Sequence, residues 1–282
     1  AGRGHEVTLF DSASEIGGQF NVAKQVPGKE EFYETLRYFN TQLAKSKVQV
    51  QLNSEQTVAQ LINQGFDEIV IATGIVPRQL NIEGINHPKV KSYLQVLRDK
   101  ELVGNKVAIV GAGGIGFDVA EFLTQTGEST SMDTEAFMKE WGVDMKNESR
   151  GGIDGVDQHW DQPAREIVML QRSGGKMGAK LGKTTGWIHR STLKNKKVKM
   201  MTNITYDKVD DQGLHITKNG KEQIILDVDH VILCAGQVPE NSLATALEAE
   251  GLSVTKIGGA DVASELDAKR AINQASRWAA KV

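Results

Sequence analysis

From Val107 to Leu123 the pattern of apolar and polar positions changes twice. Val107-Ala-Ile-Val110 is an unbroken apolar run, the signature of a strand buried on both faces of a parallel sheet. Gly111, Gly113 and Gly116 follow in G-x-G-x-x-G spacing, and from Phe117 apolar residues recur with helical period to about Thr126, where Gly127 stops the helix. Two more apolar runs, Asp67–Gly74 and Asp229–Gly236, read as buried strands that end in Ala-Thr-Gly and Ala-Gly. Shorter strands are predicted at Glu6–Asp11, Val48–Leu52, Glu166–Gln171, Val198–Met201, Ile204–Val209 and Val254–Gly259. Leu214–Thr217 and Gln223–Leu226 form a hairpin-like pair around Asn219-Gly220, a strong turn signal. Helices are predicted at Pro27–Lys45, with a stripe of Phe32, Leu36, Phe39 and Leu43, at Thr57–Gln64 and at Trp187–Leu193. The last helix, 264–280, carries Leu266, Ala271 and Ala275 on one face.

Strands alternating with helices make this an α/β chain. The runs read as two nested dinucleotide-type units. Residues 1–104 begin the outer unit, with Pro77 and Pro88 in a boundary loop over 75–104. The inner unit is 105–235, and 236–282 completes the outer one. Residues 128–164 break the pattern and read as an insertion, because Trp141 and Trp160 need burial.

Composition narrows the setting. The 282 residues carry 24% charged and 39% hydrophobic side chains and a net charge of −3, which points to no nucleic-acid or membrane surface. No apolar run approaches the roughly 18 residues of a membrane span. The single cysteine, Cys234, excludes a disulfide, a C-x-x-C pair or a cysteine-ligated cluster within this chain. It lies in an apolar run and reads as a small core residue, and a cytoplasmic setting is the default. The chain opens at Ala1 on a strand with nothing before it to pair with, and it reads as a fragment of a longer polypeptide.

The candidate chemistry starts at the fingerprint. Gly111 permits the tight turn, Gly113 lets backbone approach a pyrophosphate, and Gly116 lets the helix pack on the strand. The helix N-terminus offers amide N–H groups to the phosphates; the alternative is a tight strand–helix turn without a ligand. The acid that receives an NAD ribose stands about 20 residues past such a fingerprint. Here the insertion displaces that strand, which ends in Gln171-Arg-Ser-Gly-Gly-Lys176 without an acid. Arg172 and Lys176 can embrace a 2′-phosphate, which favours NADP(H), or they are ordinary solvated cations. Asp11, ending its strand, either receives an adenosine ribose or caps the turn before Ser12. Gly17 and Gly18 let the chain pass close to something flat or phosphorylated. Asp261 places an acid beside helix N-terminal amides. Gly182-Lys-Thr-Thr-Gly186 lacks the first glycine of a phosphate loop, and that reading is rejected.

The nested dinucleotide units resemble the two-dinucleotide-binding-domain flavoproteins, and that resemblance implies an NAD(P)-binding Rossmann-like domain, 105–235, inserted in an incomplete FAD-binding Rossmann-like domain made of 1–104 and 236–282. The resemblance sharpens at Phe10-Asp-Ser-Ala-Ser-Glu-Ile-Gly-Gly-Gln-Phe-Asn-Val-Ala-Lys-Gln-Val-Pro-Gly-Lys-Glu-Glu-Phe32, at Gly182-Lys-Thr-Thr-Gly-Trp-Ile-His-Arg190 and at Ile257-Gly-Gly-Ala-Asp261. Over essentially its whole length the chain is similar to the C-terminal part of the bacterial NADPH-dependent 2,4-dienoyl-CoA reductases, in the family that also holds trimethylamine dehydrogenase. That resemblance implies a larger enzyme whose N-terminal TIM barrel holds FMN, a 4Fe–4S cluster and the dienoyl-CoA site. It implies that Asp11 holds the FAD ribose, that Gly17, Gly18 and Gln19 line FAD, that Thr73 and Gly74 lie near it, and that Asp261 contacts its ribityl or pyrophosphate region. It places NADPH pyrophosphate on Gly111, Gly113, Gly114 and Gly116, with Arg172 and Lys176 at the 2′-phosphate. No catalytic side chain is expected in this part, since the cofactors carry the hydride. The barrel and the first strand and glycine loop of the FAD unit are not in the sequence, so the chain alone is expected to hold FAD poorly or not at all. Alternative readings are a related amine dehydrogenase or enoate reductase, or a truncated, non-catalytic nucleotide-binding domain.

Overall fold

The computed structural model describes residues 1–264 and 267–282. Leu266, expected on the last helix's apolar face, lies outside the described residues. The chain divides into two compact units, one of residues 1–20, 33–78 and 237–282, the other of 21–32 and 79–236.

In the first unit β1 (Thr8–Phe10) pairs in parallel with β2 (Gln49–Gln51); between them come α1 (Gln19–Ala23), which runs into the second unit from Asn21, and α2 (Glu31–Lys45), which belongs to the first unit from Tyr33 on. Next come α3 (Val58–Gln64), β3 (Ile69–Ile71) and β4 (Ile75–Pro77). A capping box starts α3: the Thr57 hydroxyl accepts from the Gln60 N–H, and the Gln60 side chain accepts from the Thr57 N–H. Gly65, at φ 64°, ends it. On α2 the expected stripe is only partly covered. Leu36 is buried and Phe32 and Leu43 half-buried, but Phe39 lies at the surface, its ring 5.3 Å from that of Tyr38.

The second unit takes up β5 (Val90–Ser92), α4 (Tyr93–Leu97), β6 (Lys106–Val110), α5 (Gly114–Thr124), α6 (Thr134–Glu140), β7 (Glu166–Leu170) and α7 (Gly186–Asn195). It continues through β8 (Lys199–Met201), β9 (Ile204–Asp210), β10 (Gly213–Lys218), β11 (Glu222–Leu226) and β12 (His230–Leu233). Five strands form a parallel sheet in the order β5-β12-β6-β7-β8, with the fingerprint strand at its centre. Alternate side chains face opposite ways. Val107, Ile109, Ile167 and Met169 join a core with Tyr93, Phe117, Val119, Leu123 and Leu193 from α4, α5 and α7. Ala108, Val110, Val168 and Leu170 join a second core with Ile204, Val209, Leu214 and Ile216 of the antiparallel sheet β9-β10-β11. Burial on both faces is why β6 reads as an unbroken apolar run. Asn219 and Gly220, at φ 52° and 66°, make the turn between β10 and β11.

The chain then returns to the first unit with β13 (Gln237–Pro239), α8 (Ser242–Ala249), β14 (Val254–Lys256) and α9 (Ala268–Ala279). There β14 pairs in parallel with β3, and β13 pairs antiparallel with β4. Leu61, Ile69, Ile71, Ala244, Leu247 and Ala260 form this unit's core.

Three expectations are corrected. The runs Asp67–Gly74 and Asp229–Gly236 hold strands of only three and four residues. Both runs turn at a glycine, Gly74 at φ 81° and Gly236 at φ 95°, and continue into β4 and β13. Residues 79–104, expected with the first unit, pack in the second, where β5 lies beside β12 and Tyr93, Val96 and Leu97 are buried. Residues 21–32 also pack there: Val22 and Val26 enter its core, and the Lys29 ammonium reaches both Asp118 oxygens at 2.7 Å.

Candidate functional site

The site in the second unit lies where β6 gives way to α5. Gly111 sits at φ 112°, and a Cβ there would stand 2.6 Å from the Cys234 carbonyl oxygen. A Cβ on Gly116 would meet the Gly111 carbonyl oxygen at 2.1 Å. These two glycines let strand, turn and helix close on one another. Gly113 and Gly114 differ from them: both are exposed, and a Cβ on either would find no atom within 4 Å. Gly113 caps α5 without a side-chain bond, and its carbonyl accepts the first helical bond, from Phe117 N–H at 3.1 Å. The N–H groups of Gly114 and Ile115 thus have no acceptor within the helix. No acid stands in the first helical turn to compete for them. Open space, amide donors and a helix dipole suit a pyrophosphate.

Cys234, behind this turn, is buried, and burial pushes its thiol well above the usual range. It packs as a core residue.

At the other edge of the site β7 ends at Leu170. The Gln171 carbonyl accepts from Ile204 N–H at 3.1 Å, and its side-chain Nε2 donates to the Ser173 and Gly174 carbonyls at 3.1 and 3.2 Å. Arg172 and Lys176 are exposed, and among the described residues their side chains have no hydrogen bond or ion pair. Met177 and Gly178 then return to the core, Gly178 so close to Phe117 that a Cβ would stand 2.8 Å from its ring. The segment 182–186 is a turn into α7, with the Gly186 N–H donating to the Gly182 carbonyl at 2.7 Å.

The insertion leaves and rejoins the fold at the far end of α5. Ala164 N–H donates to the Thr124 carbonyl at 3.2 Å and the Thr126 hydroxyl to the Gln162 carbonyl at 2.8 Å. That end is about 16 Å along the helix from Gly113 at 1.5 Å per residue. The two tryptophans are half-buried against each other, edge to face at 5.1 Å.

A polar seam joins α5 to α7. Glu121 is buried, and its Oε1 lies 2.8 Å from His189 Nδ1. The hydrogen bond to Glu121 raises the His189 pKa above its ordinary 6.5, against the opposing effect of burial. Lys29 and Asp118, the other charges facing it, act in opposite directions. A raised folded-state value means that the pair's stabilisation is full below pH 6.5 and fades as pH rises through the folded value. Glu121→Gln is expected to flatten that dependence. Thermal melts at about pH 6 and pH 8 check it, and a variant as pH-dependent as wild type contradicts it.

The first unit gathers the other candidates at strand ends. Asp11 follows β1, and its Oδ1 accepts from Ala13 N–H at 2.9 Å, so its carboxylate organises the turn. Gly17 and Gly18 sit at φ 128° and 48°, and Gln19 opens α1. A Cβ on Gly18 or Gly74 would meet nothing within 4 Å. The Thr73 hydroxyl donates to the Glu240 carbonyl, and the Glu240 N–H returns a bond to the Gly74 carbonyl at 3.0 Å. Because β3 and β14 run in parallel with Ile71 opposite Lys256, Thr73 and Asp261 leave the same edge of that pair. Asp261 accepts from the Gln274 side chain at 2.8 Å. The acid that caps the last helix is instead Asp267, which accepts from Arg270 N–H at 2.6 Å.

The sequence matches the pyridine nucleotide-disulphide oxidoreductase family over residues 1–271, and the chain belongs to that family. It is a flavin-dependent, pyridine-nucleotide oxidoreductase domain, whose fold serves FAD and NAD(P). It is similar to a metal reductase of Desulforamulus reducens, with 28% identity over 92% of this chain and 38% of that protein. It is also similar to a cinnamate reductase of Clostridium sporogenes, with 26% identity over 92% of this chain and 33% of that protein. The chain thus spans well under half the length of either relative. A 2-naphthoyl-CoA reductase solved with 2-naphthoyl-CoA shares the fold at a TM-score of 0.79 and 24% identity, over 99% of this chain and 36% of that one. The thioredoxin reductase of T. acidophilum shares it at 0.63 and 14%, over 97% of this chain and 88% of that one. No helix among the described residues is long and apolar enough to cross a membrane.

Proposed function

We propose that this chain is the nucleotide-handling part of an NADPH-dependent 2,4-dienoyl-CoA reductase in the cytoplasm. The observation that carries the nucleotide half of this reading is the pairing of an open helix terminus at Gly113 and Gly114 with a β7 end that has Arg172 and no acid. The coenzyme A half rests on the sequence motifs and on a fold shared with a reductase of a CoA thioester. When both are bound, the reduced nicotinamide supplies a hydride and the flavin accepts it. The chain's residues bind and orient. Amides of Gly114 and Ile115 hold the pyrophosphate, with Gly111 and Gly116 fixing the turn that presents them. Arg172, with Lys176 four residues on, takes the 2′-phosphate by charge-assisted bonds. In the first unit Asp11, Gly17, Gly18, Gln19, Thr73, Gly74 and Asp261 border FAD at the strand ends, where ligands lie in open α/β sheets. FMN, a 4Fe–4S cluster and the dienoyl-CoA itself belong to a barrel domain of the intact protein.

Arg172→Ala is expected to weaken NADPH binding about 10- to 100-fold, the range for a lost hydrogen bond to a charged group. NADH binding should stay unchanged. Calorimetric titration with both nucleotides checks this, and equal losses for the two overturn the NADP assignment. The substrate is tested by NADPH-driven turnover of a 2,4-dienoyl-CoA with the intact protein. Turnover of an amine or a simple enoate in its place contradicts the proposal.

A further inference from the structure

We infer that Gln171 is a specificity-positioning residue, whose side chain fixes the loop carrying Arg172 so that it accepts a phosphate on the adenosine ribose. The inference rests on the NADPH reading above and deepens it. Gln171 stands at the end of the second strand of its unit, where an acid receives the ribose hydroxyls of NAD. Its side chain is occupied within the loop instead. The Nε2 group donates to the Ser173 carbonyl at 3.1 Å and to the Gly174 carbonyl at 3.2 Å.

The neighbouring backbone is pinned as well. Ser173 O accepts a second bond, from Asn203 N–H at 3.3 Å, with Asn203 in the left-handed region at φ 58°. Gln171 O accepts from Ile204 N–H at 3.1 Å. Leu170 O accepts from the Tyr206 hydroxyl at 3.1 Å. Tyr206 is half-buried and desolvation pushes its pKa up to about 12, so it stays a neutral donor; it also feels the charge of Arg172. The carbonyls of residues 170, 171, 173 and 174 are thus all engaged, while the Arg172 side chain is exposed.

Two physical consequences follow. A free carbonyl oxygen in such a loop turns partial negative charge toward an incoming phosphate; the Gln171 amide engages the Gly174 carbonyl and shares the Ser173 carbonyl with Asn203 N–H. A loop held at both sides of Arg172 also has less conformational freedom to lose when the guanidinium is engaged. A glutamate at 171 would lose the donor and add a charge that repels the phosphate. One group, amide or carboxylate, therefore separates the two nucleotide preferences.

The test titrates the chain with adenosine 2′,5′-bisphosphate and with 5′-AMP, which differ only in the 2′-phosphate. Wild type is expected to prefer the bisphosphate at least about tenfold. Q171M keeps length and neutrality without the donor, and it should cut that preference about fivefold while 5′-AMP binding stays constant. Q171E should bring the preference to unity or below. Loss of folding would weaken both ligands together; should Q171M fail to fold, Q171N, neutral and too short for the two bonds, must show the same loss. If Q171M or Q171N keeps the wild-type ratio while R172A collapses it, Gln171 does not position the loop and the NADPH reading stands. If wild type shows no preference, the NADPH reading fails and this inference with it.

Discussion

Gly116→Ala is expected to lower NADPH affinity more than about 100-fold and to cost about 2–3 kcal/mol of stability. The added Cβ would lie 2.1 Å from the oxygen and 3.0 Å from the carbon of the Gly111 carbonyl. Both are backbone atoms, so no rotamer change relieves the overlap. The helix must lift from the strand or the turn must open, and either movement displaces the amides of Gly114 and Ile115 from the phosphate. Gly113→Ala is the informative contrast. Its φ of −85° is allowed for alanine and its Cβ meets no protein atom within 4 Å. That variant should melt like wild type and lose binding alone, because the methyl stands where the phosphate approaches. Melting curves and calorimetry on both variants check this. A Gly116→Ala protein with wild-type melting and affinity contradicts the packing described for α5.

Phe117→Ala is expected to cost about 3–5 kcal/mol, the range for deleting a fully buried phenyl ring. Phe117 is 1% exposed, in the core between the parallel sheet and its helices. Its ring also supports the β7–α7 loop at Gly178, two residues beyond Lys176. The variant should therefore unfold at lower denaturant and also bind NADPH less well than its folded fraction accounts for. Urea unfolding of variant and wild type measures the first effect, and titration under folding conditions the second. A cost below about 1 kcal/mol would mean that the site collapses around the missing ring.

Particular residues show how much of this was legible in advance. The strand–glycine–helix unit was legible because β6 is buried on both faces and the three glycines stand at positions with different steric demands. The hairpin at Asn219 and Gly220 was legible because its turn requires positive φ at both residues. By contrast β5 is short and polar at its centre, and α4 has only five residues, marked in the sequence by the capping box of Ser92 and Gln95 alone. Membership of residues 21–32 in the second unit depends on contacts far along the chain, such as Lys29 with Asp118, which no local pattern encodes. The stripe on α2 told which face is apolar, not how far it is covered. The places of Gly111–Gly116 at the β6–α5 turn and of Arg172 just past the end of β7 could be read from the apolar runs and the glycine spacing. The double bond of Gln171 could not, because a side chain reaching its own loop depends on the path that loop takes. The same holds for Asp11, whose carboxylate bonds the backbone two residues on.

The proposed role of this chain is to direct hydride from NADPH, not NADH, to a flavin. The most direct measurement mixes the intact protein, purified with its flavin, with each nucleotide under anaerobic conditions and follows the flavin's visible absorbance. Rapid bleaching by NADPH is expected, with bleaching at least about tenfold slower by NADH at the same concentration and Arg172→Ala removing that difference. Equal rates for the two nucleotides in wild type, or no bleaching by either, would contradict it.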